Sequence, residues 1–157
     1  MGDATLELAY KAIENHLKAQ TDAFLQFRNR ATTLFSAAAI VATLSTSIGF
    51  VKQKGGPSLP AWAPWVLLAL LAAIGATSMI VIWPVRSWNF CPPYKLVLER
   101  HAARTAIDTV LIDSINEMKK RVDSNNQVIA KCSVCLQISA SLFFGEMVTL
   151  VIAAGMR

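Results

Sequence analysis

Two kinds of hydrophobic pattern alternate along the chain. The first is the uninterrupted apolar run: residues 31–51 and 61–85 carry no charge, and residues 132–156 carry one, Glu146. Each run matches or exceeds the ~20 residues that an α-helix needs to cross the hydrocarbon of a bilayer. The second is a heptad pattern in the more polar segments. Leu6, Tyr10, Ile13, Leu17, Gln20, Phe24 and Phe27 follow alternating steps of four and three. Leu111, Ile115, Met118, Val122, Asn125, Ile129, Cys132 and Leu136 do the same, and their register runs on into the third apolar run. Such seams ask for a partner helix. The alternative, a helix lying flat on a membrane surface, usually has a more basic polar face than 4–30 has.

These patterns predict an all-α integral membrane protein with three transmembrane helices and a cytoplasmic helical bundle. The expected elements are a cytoplasmic helix over 4–30, spans over 31–51, 61–84 and 132–155, and a cytoplasmic helix over 94–131. The last of these continues into span three, so one long helix is expected from about Tyr94 to Ala154. Gly55, Gly56 and Pro57 supply a short turn that makes spans one and two antiparallel neighbours. Pro84 and Cys91-Pro-Pro-Tyr94 close the second span. Trp62 and Trp65 at one end, with Trp83 and Trp88 at the other, mark its two interfaces.

Charge sets the expected orientation. Twelve of the 15 Lys and Arg residues lie before span one or between spans two and three; Lys52, Lys54 and Arg157 are the other three. Basic flanks stay cytoplasmic. This places the chain in the plasma (inner) membrane, with its N-terminus cytoplasmic and its C-terminus outside. The 54% apolar and 16% charged composition agrees with a membrane protein, against roughly 25% charged in soluble domains. Residues 1–30 do not read as a secretory signal, and Leu6 stands where a myristoylation signal wants Ser or Thr. The net charge of +5 is accounted for by orientation and by attraction to anionic lipid, without nucleic-acid binding.

Glu146 is the candidate of most interest. It lies about 22 Å along the helix from Lys131, well past the middle of a bilayer. A carboxyl in hydrocarbon must face a bundle, water or a partner, or stay protonated. Two roles fit: a pore-lining or gating group repeated around a symmetric oligomer, or a structural bond to a Ser or Thr of a neighbouring helix. Span one is rich in hydroxyls, and Ser45, Thr46 and Ser47, with Ser141 of span three, complete the intramembrane polar set. Asn125 is a polar residue on the seam formed by Leu111, Ile115, Met118 and Val122. There it fixes register or oligomer number, or it sits partly solvated at a loose end of the bundle. Cys132-Ser-Val-Cys135 has metal-ligand spacing, but only Cys91, His16 and His101 are left to complete four ligands. No metal or cofactor is expected. No phosphate loop, nucleophile elbow or dinucleotide fingerprint occurs, and no converging catalytic set is visible, so an enzyme is not expected.

Three stretches carry a family resemblance: Ala23-Phe-Leu-Gln-Phe-Arg-Asn-Arg-Ala31 running into the first span, Trp83-Pro84-Val85-Arg86 closing the second, and Asn125-Asn-Gln-Val-Ile-Ala-Lys131 before a third span that contains Glu146. In this layout the chain resembles small bacterial membrane proteins of antiphage defence, the transmembrane effectors of Pycsar systems and SLATT-type proteins. The resemblance implies self-association and membrane depolarisation after a nucleotide or protein signal. No nucleotide-binding module is recognisable here. The expected function is therefore an oligomeric membrane effector or channel that perturbs permeability. Its expected partners are membrane lipids, further copies of itself and a cytoplasmic protein or nucleotide trigger. The alternative is a structural or adaptor subunit that docks a partner through the heptad helices.

Overall fold

Between Asp3 and Ile48 the sequence has neither glycine nor proline, and one helix, α1, runs through it from Gly2–Phe50. Two Glu–Lys pairs one turn apart support its polar start, Glu7–Lys11 at 2.9 Å and Glu14–Lys18 at 3.1 Å. Both have the acid on the N-terminal side, the favourable orientation. Further along, Thr32, Thr33, Thr43 and Ser45 donate to carbonyls one turn back. Their hydroxyls are thereby satisfied within the helix, so they sit in an apolar stretch at little cost.

In the computed structural model the described residues are 2–50, 60, 62–83, 88, 94–103 and 106–155, without the side chains of 2, 3, 46–50 and 94. Among them the chain forms four α-helices and no strand: α1, α2 (Ala63–Ile82), α3 (Tyr94–Ala102) and α4 (Ile107–Gly155). Two are long and apolar enough to cross a membrane, α2 and α4. The expected first span, 31–51, is helical as far as Phe50 but is not among these two.

α2 starts with Pro64 in its first turn and ends at Trp83, whose ψ of 136° is the extended backbone imposed by the following proline. The expected helix over 94–131 is divided. α3 ends at Ala102 and α4 begins at Ile107. Arg100 and Asp113 form an ion pair at 2.8 Å. In an unbroken helix those residues would stand about 20 Å apart, so the pair requires the chain to turn. Arg100 and His101 in the last turn of α3, and Asp108 in the first turn of α4, complement the helix-end charges created there.

The chain divides into two units. The first comprises Met1–Leu25 and Val85–Lys131. Its core holds Leu17, Phe24, Trp88, Met118 and Val122. Phe24 and Trp88 stack with ring centroids 4.2 Å apart. Trp88 was expected at a membrane interface; it is instead 6% exposed. Stacking on Phe24 gives the indole more apolar contact than an interface would. The other three tryptophans, Trp62, Trp65 and Trp83, are exposed.

The second unit comprises Gln26–Pro84 and Cys132–Arg157. Its inside is lined by small residues. Ala31, Ala38 and Ser45 of α1 are buried at seven-residue intervals, as are Cys132, Ser139, Glu146 and Ala153 of α4. Leu67, Ile74 and Val81 of α2 repeat the interval with larger side chains. A seven-residue burial period is the mark of left-handed, coiled-coil-like packing, and small residues let helices approach closely. Many other large apolar side chains of this unit point outward, among them Ile40, Leu44, Leu68, Ile80, Phe144 and Val151. Only 22% of the apolar window in α2 and 17% of that in α4 is buried.

Candidate functional site

Helix α4 positions Glu146 by its heptad. Cys132 and Ser139 precede it on the same buried stripe and Ala153 follows. Glu146 is 0% exposed, and neither carboxylate oxygen has a hydrogen-bond partner among the described residues. Three contacts within the second unit fix what surrounds it. Arg28 Nη2 donates to the Ile82 carbonyl at 2.6 Å, a cation capping the C-terminus of α2. A side chain added to Gly75 would meet the Phe35 ring at 3.1 Å. These two contacts show α1 and α2 running antiparallel. The hydroxyls of Thr77 and Ser139 lie 2.6 Å apart and join α2 to α4. Moving seven residues along each helix from Thr77 and Ser139 reaches the level of Glu146, near position 70 of α2 and position 40 of α1. The buried side chains flanking that level are Ala38, Ala42, Leu67 and Ile74. At that level the buried side chains are alanines and aliphatic groups, and an unsatisfied buried polar group costs roughly 1–3 kcal/mol.

The polar set expected around Glu146 separates into parts. Ser45 is buried and donates to the Val41 carbonyl at 2.6 Å. Ser141 is exposed and donates to the Gln137 carbonyl, so it faces away from the interior. The side chains of Thr46 and Ser47 lie outside the described residues. Three hydroxyls not singled out as site candidates share the interior with Glu146. Ser139 is fully buried, Thr77 bonds to it, and Ser78 is buried with no partner among the described residues. Ser139 stands one heptad from Glu146, and that spacing is the signal in the sequence that would have found it.

The seam residues meet a partner helix within the chain. Met118, Val122 and Asn125 are buried and Leu111 and Ile115 half-buried, as are the corresponding positions of α1. Gln20 Nε2 donates to the Val122 carbonyl at 3.1 Å and to Asn126 Oδ1 at 2.8 Å. Asn125, fully buried beside it, belongs to this polar layer of the first unit. Among the described residues no three His, Cys, Asp or Glu side chains gather as metal ligands, and Cys132 and Cys135 are free thiols.

These features define an all-helical protein with two helices able to cross a membrane and an unpartnered carboxyl enclosed among its helices. Compared with protein-family models, curated proteins and solved structures, the chain matches none.

Proposed function

We propose that this chain is an integral membrane protein of three spans that changes the permeability of its membrane, with Glu146 as the controlling group. The observation that carries the reading is the enclosed carboxyl with two unbonded oxygens. Replacing a buried charged group by a well-packed apolar one is often neutral or stabilising, so packing alone does not account for a glutamate there. Ionisable groups inside membrane helices mark ion or proton pathways by default. The surface of the second unit supports the bilayer: α1 and α4 bury alanine, serine and glutamate, while large apolar side chains such as Ile40, Leu44, Ile80 and Phe144 face outward. In water such an exposed apolar surface would drive aggregation.

Because Glu146 is enclosed by helices of a single chain, the path it controls runs inside each copy rather than between copies. Self-association then uses the outward apolar side chains, since the heptad seams are occupied. The antiphage setting, the nucleotide or protein trigger and the inner-membrane location with a cytoplasmic N-terminus rest on the sequence patterns described above.

The test is the decay, once a co-reconstituted electrogenic pump is stopped, of the membrane potential it imposed on liposomes holding the purified chain, followed with a potential-sensitive dye. The wild type should collapse the potential, and Glu146→Ala should slow the collapse by tenfold or more. Decay no faster than in liposomes holding the pump alone would remove the reading. One observation favours the adaptor alternative: outside the expected spans Leu8, Leu98 and Ile107 are exposed at 70%, 63% and 76%. Replacing these three by serine should leave the decay unchanged if permeability is the function.

A further inference from the structure

Building on the permeability reading, we infer that the species passed is the proton, taken up and released at Glu146, rather than a metal cation or an anion. The chemistry around the carboxyl selects among the three. A dehydrated metal cation needs about six oxygen ligands. Glu146 supplies two, and the side chains flanking its level are Ala38, Ala42, Leu67 and Ile74. Residues 31–51 and 61–85 contain no ionisable side chain, and residues 132–156 contain Glu146 and, near the start of the run, the thiols Cys132 and Cys135. Within these runs an anion therefore finds no positive group and meets a carboxyl.

A proton needs only a group that binds it and hydroxyls or waters to carry it. The interior provides both. The Thr77–Ser139 pair, with its 2.6 Å contact, lies one heptad, about 10 Å, to one side of Glu146. Buried Ser45 lies about five residues beyond the level of Glu146 on the other side, or about 8 Å. Waters would have to bridge each gap, and they settle where polar groups are unsatisfied, as both Glu146 oxygens are among the described residues. No ionisable group of α1 or α2 within the second unit's apolar stretches faces the carboxyl, so its protonation answers to the two aqueous sides alone.

The test uses the full chain in liposomes loaded with a pH-sensitive dye. Potassium and valinomycin clamp the potential while a pH gradient is imposed. Parallel samples without valinomycin follow potassium and chloride release with ion-selective electrodes. The wild type should dissipate the pH gradient at least tenfold faster than empty liposomes and release neither potassium nor chloride above background. Glu146→Gln keeps the shape of the side chain but cannot release a proton, and should fall to background. Glu146→Asp should retain part of the rate, and Ser139→Ala should lower it severalfold. Circular dichroism matching the wild type shows that each variant is folded. Potassium or chloride release from the wild type that Glu146→Ala slows overturns the proton assignment while the permeability reading stands; release that no Glu146 variant changes overturns both. No flux of any ion from folded wild type overturns both.

Discussion

At the scale of single residues, the structure turns on a polar group placed where an apolar one would pack better. Among the described residues Glu146 has no hydrogen-bond partner, and it has no exposure, so Glu146→Met should stabilise the helices. Removing the unsatisfied carboxyl is worth roughly 1–3 kcal/mol, seen as a rise in the thermal midpoint in detergent, with loss of proton flux in the same variant. A lowered midpoint would mean that the carboxyl is bonded in the folded protein. Gly75 poses the opposite problem. An added methyl would meet Phe35 at 3.1 Å, but that ring is itself partly exposed and can swing aside. Gly75→Ala should therefore change stability by less than about 1 kcal/mol, helped by alanine's helix propensity. Gly75→Leu should separate α1 from α2 and lower the midpoint clearly. Glu146 was legible in the sequence because it is the lone charge of an apolar run. The expectation that it faces a bundle followed from the cost of a carboxyl in hydrocarbon, whereas the Thr77–Ser139 contact was not legible. Two hydroxyls on different helices carry no mutual spacing, and only the packing brings them together.

At the scale of elements, two contacts hold the first unit's helices in place. The Phe24–Trp88 stack is buried, so Phe24→Ala should cost about 3–5 kcal/mol and leave the Trp88 indole in a wetter, red-shifted environment by fluorescence. Arg100–Asp113 is partly exposed and weaker. Asp113→Asn should cost no more than about 1 kcal/mol, yet it should speed amide exchange selectively in α3. The turn between α3 and α4 was not legible because residues 101–109 contain neither glycine nor proline. It is recognised instead by a cation and an acid too far apart to pair in a straight helix. The seams were legible almost residue by residue, since the four-three spacing is the burial pattern itself. At the start of α1, the hydrogen bond and charge of Lys11 hold the Glu7 carboxyl below its ordinary range. Its contribution is present above that range and is lost as pH falls through the lowered value. A carbon-detected titration of Glu7 should show its midpoint rising in Lys11→Gln.

At the scale of the whole molecule, the number of membrane crossings decides which surfaces share a compartment. Two helices meet a simple length and hydropathy test, and α1 enters only if its hydroxyl-rich second half also spans. Backbone satisfaction favours that: Thr32, Thr33, Thr43 and Ser45 bond to their own helix, which leaves the stretch nearly apolar to its surroundings. Charge favours it more strongly. With three spans, twelve of the 15 basic residues lie on one side; with α2 and α4 alone the division is eight against seven. An even split would leave nothing to orient the chain, because lysine and arginine bias sets topology. The two arrangements differ at the position of the 52–60 hairpin relative to the N-terminal helix. In a background with its cysteines replaced, Lys11→Cys, Lys54→Cys and Lys120→Cys should be tested one at a time with a membrane-impermeant maleimide on intact cells. Three spans with the N-terminus inside require labelling at 54 alone, and three spans in the opposite orientation require labelling at 11 and 120. Labelling at both 11 and 54, or at 120 alone, would mean that α1 stays on one side. Glu146 would then cross the bilayer on α4 without α1 beside it, and its enclosure by three helices, with its role as an intramembrane proton site, would be lost.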